Sequence, residues 1–332
     1  MTTWQIYQGS GSPHNGIVHL PEPPPWRRFD GVMPEQEPTP TLDPQTTRPL
    51  SALIRGQTFQ ASEEVIDCVN AALYLRRPLF VTGKPGTGKS SLAYAVAHEL
   101  QLGSVLVWPI TSRTTLQNGL YSYDAIGRFQ EVIPGKDAPD IGRYIRLGPL
   151  GTAFLPSRRP RVLLIDEIDK SDIDLPNDLL HVFEEGGFDI PELTRLEQPH
   201  VEVFPYDSQH RVRIIHGRIT CHAFPFVVIT SNGERELSPP FLRRCLQLLM
   251  KEPDVKELTR IVHAHFAQLD STRRQACEAL VQQFITRRDQ SEGNLATDQL
   301  LNAIYLIMQN VDLDQRGLRE AVWRFLNTLE MP

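Results

Sequence analysis

The chain has 332 residues, 40% of them hydrophobic and 22% charged, with a formal net charge of -6. That is the composition of an ordinary soluble globular protein, long enough for more than one domain core. It argues against a general nucleic-acid binder, which carries a basic footprint, and against membrane insertion, because the longest apolar runs fall far short of a bilayer span.

The opening MTTWQIYQGS has neither a basic n-region nor a hydrophobic h-region, so no secretory leader is expected. Four scattered cysteines, Cys68, Cys221, Cys245 and Cys277, form no CxxC pair. They read as reduced thiols of a cytoplasmic chain. Residues 1–50 hold 10 of the 27 prolines and are expected to form an extended, partly polyproline II arm. Two readings stand for it. It is a disordered tail, or it is a stiff strand whose Trp4, Tyr7, Trp26 and Phe29 dock onto a partner or a neighbouring subunit.

From residue 51 the pattern changes. Ala61 to Leu75 repeats apolar residues at helical spacing behind Ser62-Glu63-Glu64, a cap and an acidic first turn. Pro78–Val81 reads as a buried strand, followed by a glycine-rich turn and a helix over Ser90–Leu100. Val105–Val107 is a second strand, residues 111–160 are mixed, and Arg161–Ile165 is a third strand with a helix after it through Phe183. Phe188–Phe204 and His210–His222 alternate apolar and polar residues, which predicts a β-hairpin with its loop near Asp207-Ser208-Gln209. Phe224–Ile229 is another buried strand. Strands alternating with helices predict an α/β core over 51–249, a parallel sheet sandwiched by helices. Residues 250–332 carry only amphipathic helical patterns, around Leu258, Leu280, Leu300 and Leu318, and predict a small all-α lid domain.

The turn after the first strand reads Gly83-Lys84-Pro85-Gly86-Thr87-Gly88-Lys89-Ser90, a full match to GxxxxGK(S/T) between a strand and a helix. In that motif backbone N–H groups and the helix N-terminus, with Ser91 behind it, converge on phosphate oxygens. Lys89 reaches the β and γ phosphates of ATP, and the Ser90 hydroxyl ligates Mg²⁺. The third strand, Val162-Leu163-Leu164-Ile165, ends on Asp166-Glu167. Two adjacent carboxylates gain nothing at a buried strand end unless something positive faces them. A strand beside the P-loop strand would aim Asp166 at the same Mg²⁺ and leave Glu167 to polarise the attacking water. An ATP-hydrolysing site is therefore expected.

Three further features belong to that expectation. Asn232, after the strand Phe226–Ile229, can both donate to the γ-phosphate and hold the water, or it simply caps the turn before Gly233. Arg244, with Arg243 second, ends a short helix where a neighbouring subunit would present it to the nucleotide; otherwise the pair faces solvent. Arg319 begins the last helix and either reaches back to the nucleotide or is exposed.

Over roughly 52–331 these residues resemble the AAA+ ATPases, and within them the MoxR-like group. Arg55-Gly56-Gln57 looks like the family's adenine-cradling entry segment, Gly148-Pro149-Leu150 like its Gly-Pro element, and the 188–222 hairpin like a pre-sensor insertion. Asn232 matches sensor 1, Arg244 the arginine finger and Arg319 sensor 2. The resemblance implies a ring, usually a homo-hexamer, that uses ATP to remodel a client protein, often beside a vWA-domain partner. Asp166-Glu167-Ile168-Asp169-Lys170 and Arg243-Arg244-Cys245 depart from the MoxR forms Asp-Glu-Ile-Asn-Arg and Asp-Arg-Phe, and the former also resembles general AAA+ chaperones and the McrB-like branch. A nucleotide-dependent switch or scaffold in a signalling or immunity module is the alternative function, and a nucleic-acid motor a third, suggested by Arg113, Arg128, Lys136, Arg143, Arg146, Arg158 and Arg159 between the second and third strands.

Overall fold

Helix and strand alternate along the computed structural model, which describes residues 4–33, 50–131, 139–266, 271–290, 295–309, 311 and 322–323. Helix α1 (Leu50–Thr58) leads to α2 (Glu63–Leu75), whose first turn is capped by Ser62; its hydroxyl accepts from the Val65 N–H. Strand β1 (Leu79–Thr82), the phosphate-loop segment, α3 (Lys89–Glu99) and β2 (Val105–Pro109) follow. An insertion comes next: α4 (Leu116–Leu120), β3 (Tyr121–Tyr123), α5 (Ala125–Gln130), β4 (Ile145–Leu147) and α6 (Pro149–Ala153). Strand β5 (Val162–Asp166) runs into a 3-10 turn and α7 (Leu175–Glu185). A second insertion holds β6 (Gly187–Asp189), α8 (Pro191–Thr194), β7 (His200–Val203), β8 (Val212–Ile215) and β9 (Arg218–Thr220). Strand β10 (Phe226–Ser231), α9 (Pro239–Arg244) and β11 (Leu246–Leu249) complete the core, and α10 (Val255–His265), α11 (Ser271–Gln290) and α12 (Thr297–Met308) form the helical region.

Five strands pair in parallel in the order β11-β1-β10-β5-β2. The three central strands, β1, β10 and β5, are buried on both faces because helices cover both, so their sequences are near-continuous apolar runs, whereas the edge strands β2 and β11 are partly exposed. Successive side chains still alternate. Leu79, Val81, Val162, Leu164, Phe226 and Val228 pack with α2 and α3, whereas Phe80, Leu163, Ile165, Val227 and Ile229 pack with α7 and the insertions. A third cluster, Leu258, Val262, Leu280, Phe284, Leu300, Ile304 and Trp323, is the core of the helical region. Phe284 and Trp323 meet edge to face at 5.7 Å.

Four expectations change. Strand β10 lies between β1 and β5, so the strand ending in Asp166 is not the neighbour of the P-loop strand. Strand β11 is a fifth strand that the sequence pattern did not suggest. The predicted single hairpin is a four-stranded antiparallel sheet, β6-β9-β8-β7, with one turn around Asp207 and a tight one at His216-Gly217. Finally, the disordered-tail reading does not describe residues 4–33. Tyr7 is 1% exposed and Ile6 and Ile17 are buried in the α2–α3 cluster. The Asn70 side chain accepts from the Ile6 and Tyr7 N–H groups at 2.7 and 2.9 Å and donates to Tyr7 O at 2.8 Å. Of the aromatic anchors, Trp4 lies edge-on to Tyr74, Phe29 stacks on Phe224, and Trp26 is 80% exposed. The docking surface for this segment is the chain's own core. Lys136, Arg319 and most of the last predicted helix lie outside the described residues.

Candidate functional site

The phosphate-loop segment works through its backbone. Gly83, Gly86 and Gly88 have φ of 150°, 77° and 90°, a region that side chains with a Cβ seldom enter. A Cβ on Gly86 would also lie 2.3 Å from the Ala296 Cβ, so the helical region seats directly on this turn. The turn ends at Gly88, the N-cap of α3. The α3 N–H groups and helix dipole thus face the space above the loop. Inside the loop the Lys89 ammonium donates to Gly83 O at 2.7 Å and Lys84 O at 2.8 Å. Burial lowers its pKa, and the carboxylates of Asp169, Asp166 and Glu167 oppose that shift. A charge held this way is poised for an anionic ligand.

One residue along α3, the Ser90 hydroxyl donates to Asp166 Oδ1 at 2.7 Å. The two residues come from elements two strands apart, and the interposed strand supplies the bridge. Thr230, 1% exposed at the end of β10, donates its hydroxyl to the same Asp166 Oδ1 at 2.6 Å. It also accepts from the Glu167 N–H at 2.9 Å. A serine hydroxyl beside an aspartate carboxylate is an all-oxygen donor set, which suits a small hard cation such as Mg²⁺ and not a soft metal.

Glu167 turns away from Asp166. Its φ is 62°, a left-handed conformation that ends the strand and starts the 3-10 turn Ile168–Lys170. Its Oε1 accepts from Asn232 Nδ2 at 3.3 Å and its Oε2 accepts from the Lys170 ammonium at 2.8 Å. That bond holds the Lys170 pKa up. The Asn232 loop is fixed in turn by Asp169, 5% exposed, whose Oδ2 accepts from the Asn232 and Glu234 N–H groups at 2.9 and 3.1 Å. Thr230, Asp169 and Lys170 were not singled out for a role from the sequence. Their signal is positional: Thr230 precedes Asn232 by two residues on the buried strand, and Asp169 and Lys170 lie within one turn of Glu167.

Beside the loop opens a cavity of about 1000 Å³. Gly86, Thr87, Gly88 and Ser91 line one end, Phe59, Val65, Leu249, Ile261 and Leu301 give it an apolar part, and Glu63, Glu64, Glu252 and Asp298 are among the acidic residues that line it as well. A mixed chamber with an apolar part and one end on the backbone N–H groups of the phosphate loop could take a nucleotide, base on the apolar side. Arg55, of the Arg55-Gly56-Gln57 segment, lines it too, from the last turns of α1. The remaining candidates stand apart. Arg243 is exposed, and Arg244 is ion-paired with Glu184 at the end of α7.

The model of the AAA domain (dynein-related subfamily) matches residues 78–245, just over half of the chain. No curated protein matches it. The matched span starts one residue before β1 and ends one residue after α9. It contains the phosphate loop, the Asp166-Glu167 strand end and Asn232. With a five-stranded parallel sheet flanked by helices and a helical region after it, the chain belongs to the nucleotide-binding AAA domain family, dynein-related subfamily.

Proposed function

We propose that the protein hydrolyses ATP to ADP and phosphate with Mg²⁺ and uses the cycle, as a ring of identical subunits, to remodel a client protein in the manner of MoxR-like ATPases. The observation that carries the reading is the meeting of Ser90 and Asp166 at 2.7 Å above the Lys89 loop. Ser90 and Asp166 would hold the ion, which when bound neutralises charge on the β and γ oxygens. Lys89 would exchange its two carbonyl contacts for those oxygens, the role of this lysine in phosphate loops. Glu167 would orient the attacking water and take its proton. Asn232, already at the Glu167 carboxylate, would keep that group and the γ-phosphate in register. Phe59 and the apolar part of the cavity wall would seat the base.

The ring, the trans action of Arg244 or Arg243, the contribution of Arg319 and a vWA-domain partner follow from the MoxR-like reading. Supporting it are the two insertions before β5 and before β10 and the position of the arginines at the end of α9, just before the last strand of the α/β core. A second reading, a nucleotide-dependent switch, draws support from Glu167, whose two carboxylate oxygens both carry donors. Steady-state turnover with Mg-ATP tests the first reading. Glu167→Gln should keep nucleotide binding and lose nearly all turnover. Wild-type turnover no higher than that of the variant sinks hydrolysis as the function. A biological output kept by Glu167→Gln but lost by Lys89→Ala would favour the switch.

A further inference from the structure

Five residues, Met250–Asp254, carry the chain from the edge strand β11 into the helical region. All five are tied down. The Met250 N–H donates to Thr82 O at 2.8 Å, Lys251 pairs with Glu64 at 3.5 Å, Pro253 O accepts from Arg288 at 3.0 Å, and Asp254 caps α10 through the Glu257 N–H at 2.8 Å. Glu252 alone sets its charge on the phosphate loop: its Oε2 lies 2.8 Å from the Lys84 ammonium. Gly83, one residue before, is packed so closely on this hinge that a Cβ there would lie 2.4 Å from Met250 O. Hinge and phosphate loop are thus in contact, and an acidic side chain occupies a cation of the loop.

We propose that Glu252 is a charge latch that senses the nucleotide's polyphosphate and passes its arrival to the hinge. The inference rests on the nucleotide-site reading above. The argument is one of competition. The Lys84 and Glu252 side chains are 53% and 26% exposed, so water screens the pair and its net strength is small. A polyphosphate brings several negative charges to the same loop and outcompetes one carboxylate for Lys84. It also repels Glu252 directly. Either effect loosens the ion pair by which the hinge holds a cation of the phosphate loop. Glu252 therefore lowers nucleotide affinity, and in exchange the helical region responds to whether the loop is filled.

Two readouts on the full chain test this. With a fluorescent ATP analogue and Mg²⁺, Glu252→Gln should bind about fivefold tighter than wild type, the upper end of what a half-exposed ion pair is worth. In hydrogen exchange, a peptide covering 248–258 should speed up in wild type when the non-hydrolysable analogue is added. In Glu252→Gln it should already exchange at that faster rate without nucleotide. Affinities within twofold of each other, or exchange in Glu252→Gln that matches ligand-free wild type, overturn the inference. Wild type that binds no nucleotide overturns instead the reading of the site on which it rests.

Discussion

Thr230→Val removes one hydroxyl and leaves the shape of a buried strand end nearly unchanged. The structure sets the size of the effect. The hydroxyl makes two bonds, one to the Asp166 carboxylate at 2.6 Å and one from the Glu167 N–H at 2.9 Å. A hydrogen bond to a charged group contributes about 1.5–3 kcal/mol, and the valine also leaves the Glu167 N–H without its partner. If about 2 kcal/mol of this lies in holding the two acids in the reacting geometry, turnover falls about 30-fold. The assay is Mg-ATP hydrolysis at saturating nucleotide and metal, with nucleotide affinity measured separately. A loss of about 10- to 100-fold in kcat is expected, with KM changed much less, because no phosphate or base contact is touched. Thr230→Ser keeps the hydroxyl and should stay within a few-fold of wild type. A valine variant that is folded and turns over within twofold of wild type would refute the idea that β10 positions both acids.

Two other expectations concern the core and its thiols. Glu99, fully buried at the end of α3, accepts from Gln8 N at 2.6 Å, Gly9 N at 3.2 Å, Gly11 N at 3.0 Å and the Ser10 hydroxyl at 3.2 Å. Glu99→Gln turns one acceptor oxygen into a donor facing donors and should cost about 3 kcal/mol in urea unfolding, with faster proteolysis of residues 4–33; a change below about 0.5 kcal/mol would refute the clamp. Burial raises the Cys221 and Cys245 thiols to about 12. They stay protonated and shielded at pH 8, so a thiol reagent should label the partly exposed Cys68 first and reach Cys221 and Cys245 only on unfolding. Rapid native labelling of either would contradict the packing around them.

The parts of the site that were legible in the sequence are the parts that are local. The phosphate loop is one uninterrupted segment, and its glycines need positive φ for reasons visible in the motif itself. Asp166-Glu167 at the end of an apolar run was legible by its cost. The order of the strands was not, because parallel neighbours are joined by long crossovers and nothing local to β5 says whether β1 or β10 lies beside it. Strand β11 is four residues long, half exposed, and follows α9 with a single residue between, so no turn signal announces it. The N-terminal segment was misread for a different reason. Its proline and glycine content does preclude a core of its own, but the groups that hold it, Asn70 and Glu99, sit in helices far along the chain. Their burial is invisible until the fold closes.

The interposed strand also accounts for two acids standing side by side. Two carboxylates on consecutive residues of a regular strand would point to opposite faces of the sheet, and only one would meet the phosphate loop. The chain instead leaves the strand at Glu167 through a left-handed residue. For a side chain with a Cβ that conformation costs of order 1–2 kcal/mol. The Thr230 hydroxyl offsets it by capping the Glu167 N–H, and because the same oxygen donates to Asp166, it ties the turn to the aspartate beside Ser90. Each acid then has its own donors: Ser90 and Thr230 for Asp166, Lys170 and Asn232 for Glu167. Glycine at 167 would relieve the backbone at once, yet it would leave Lys170 and Asn232 with nothing to hold. The left-handed turn thus sets the Glu167 carboxylate against both of these donors.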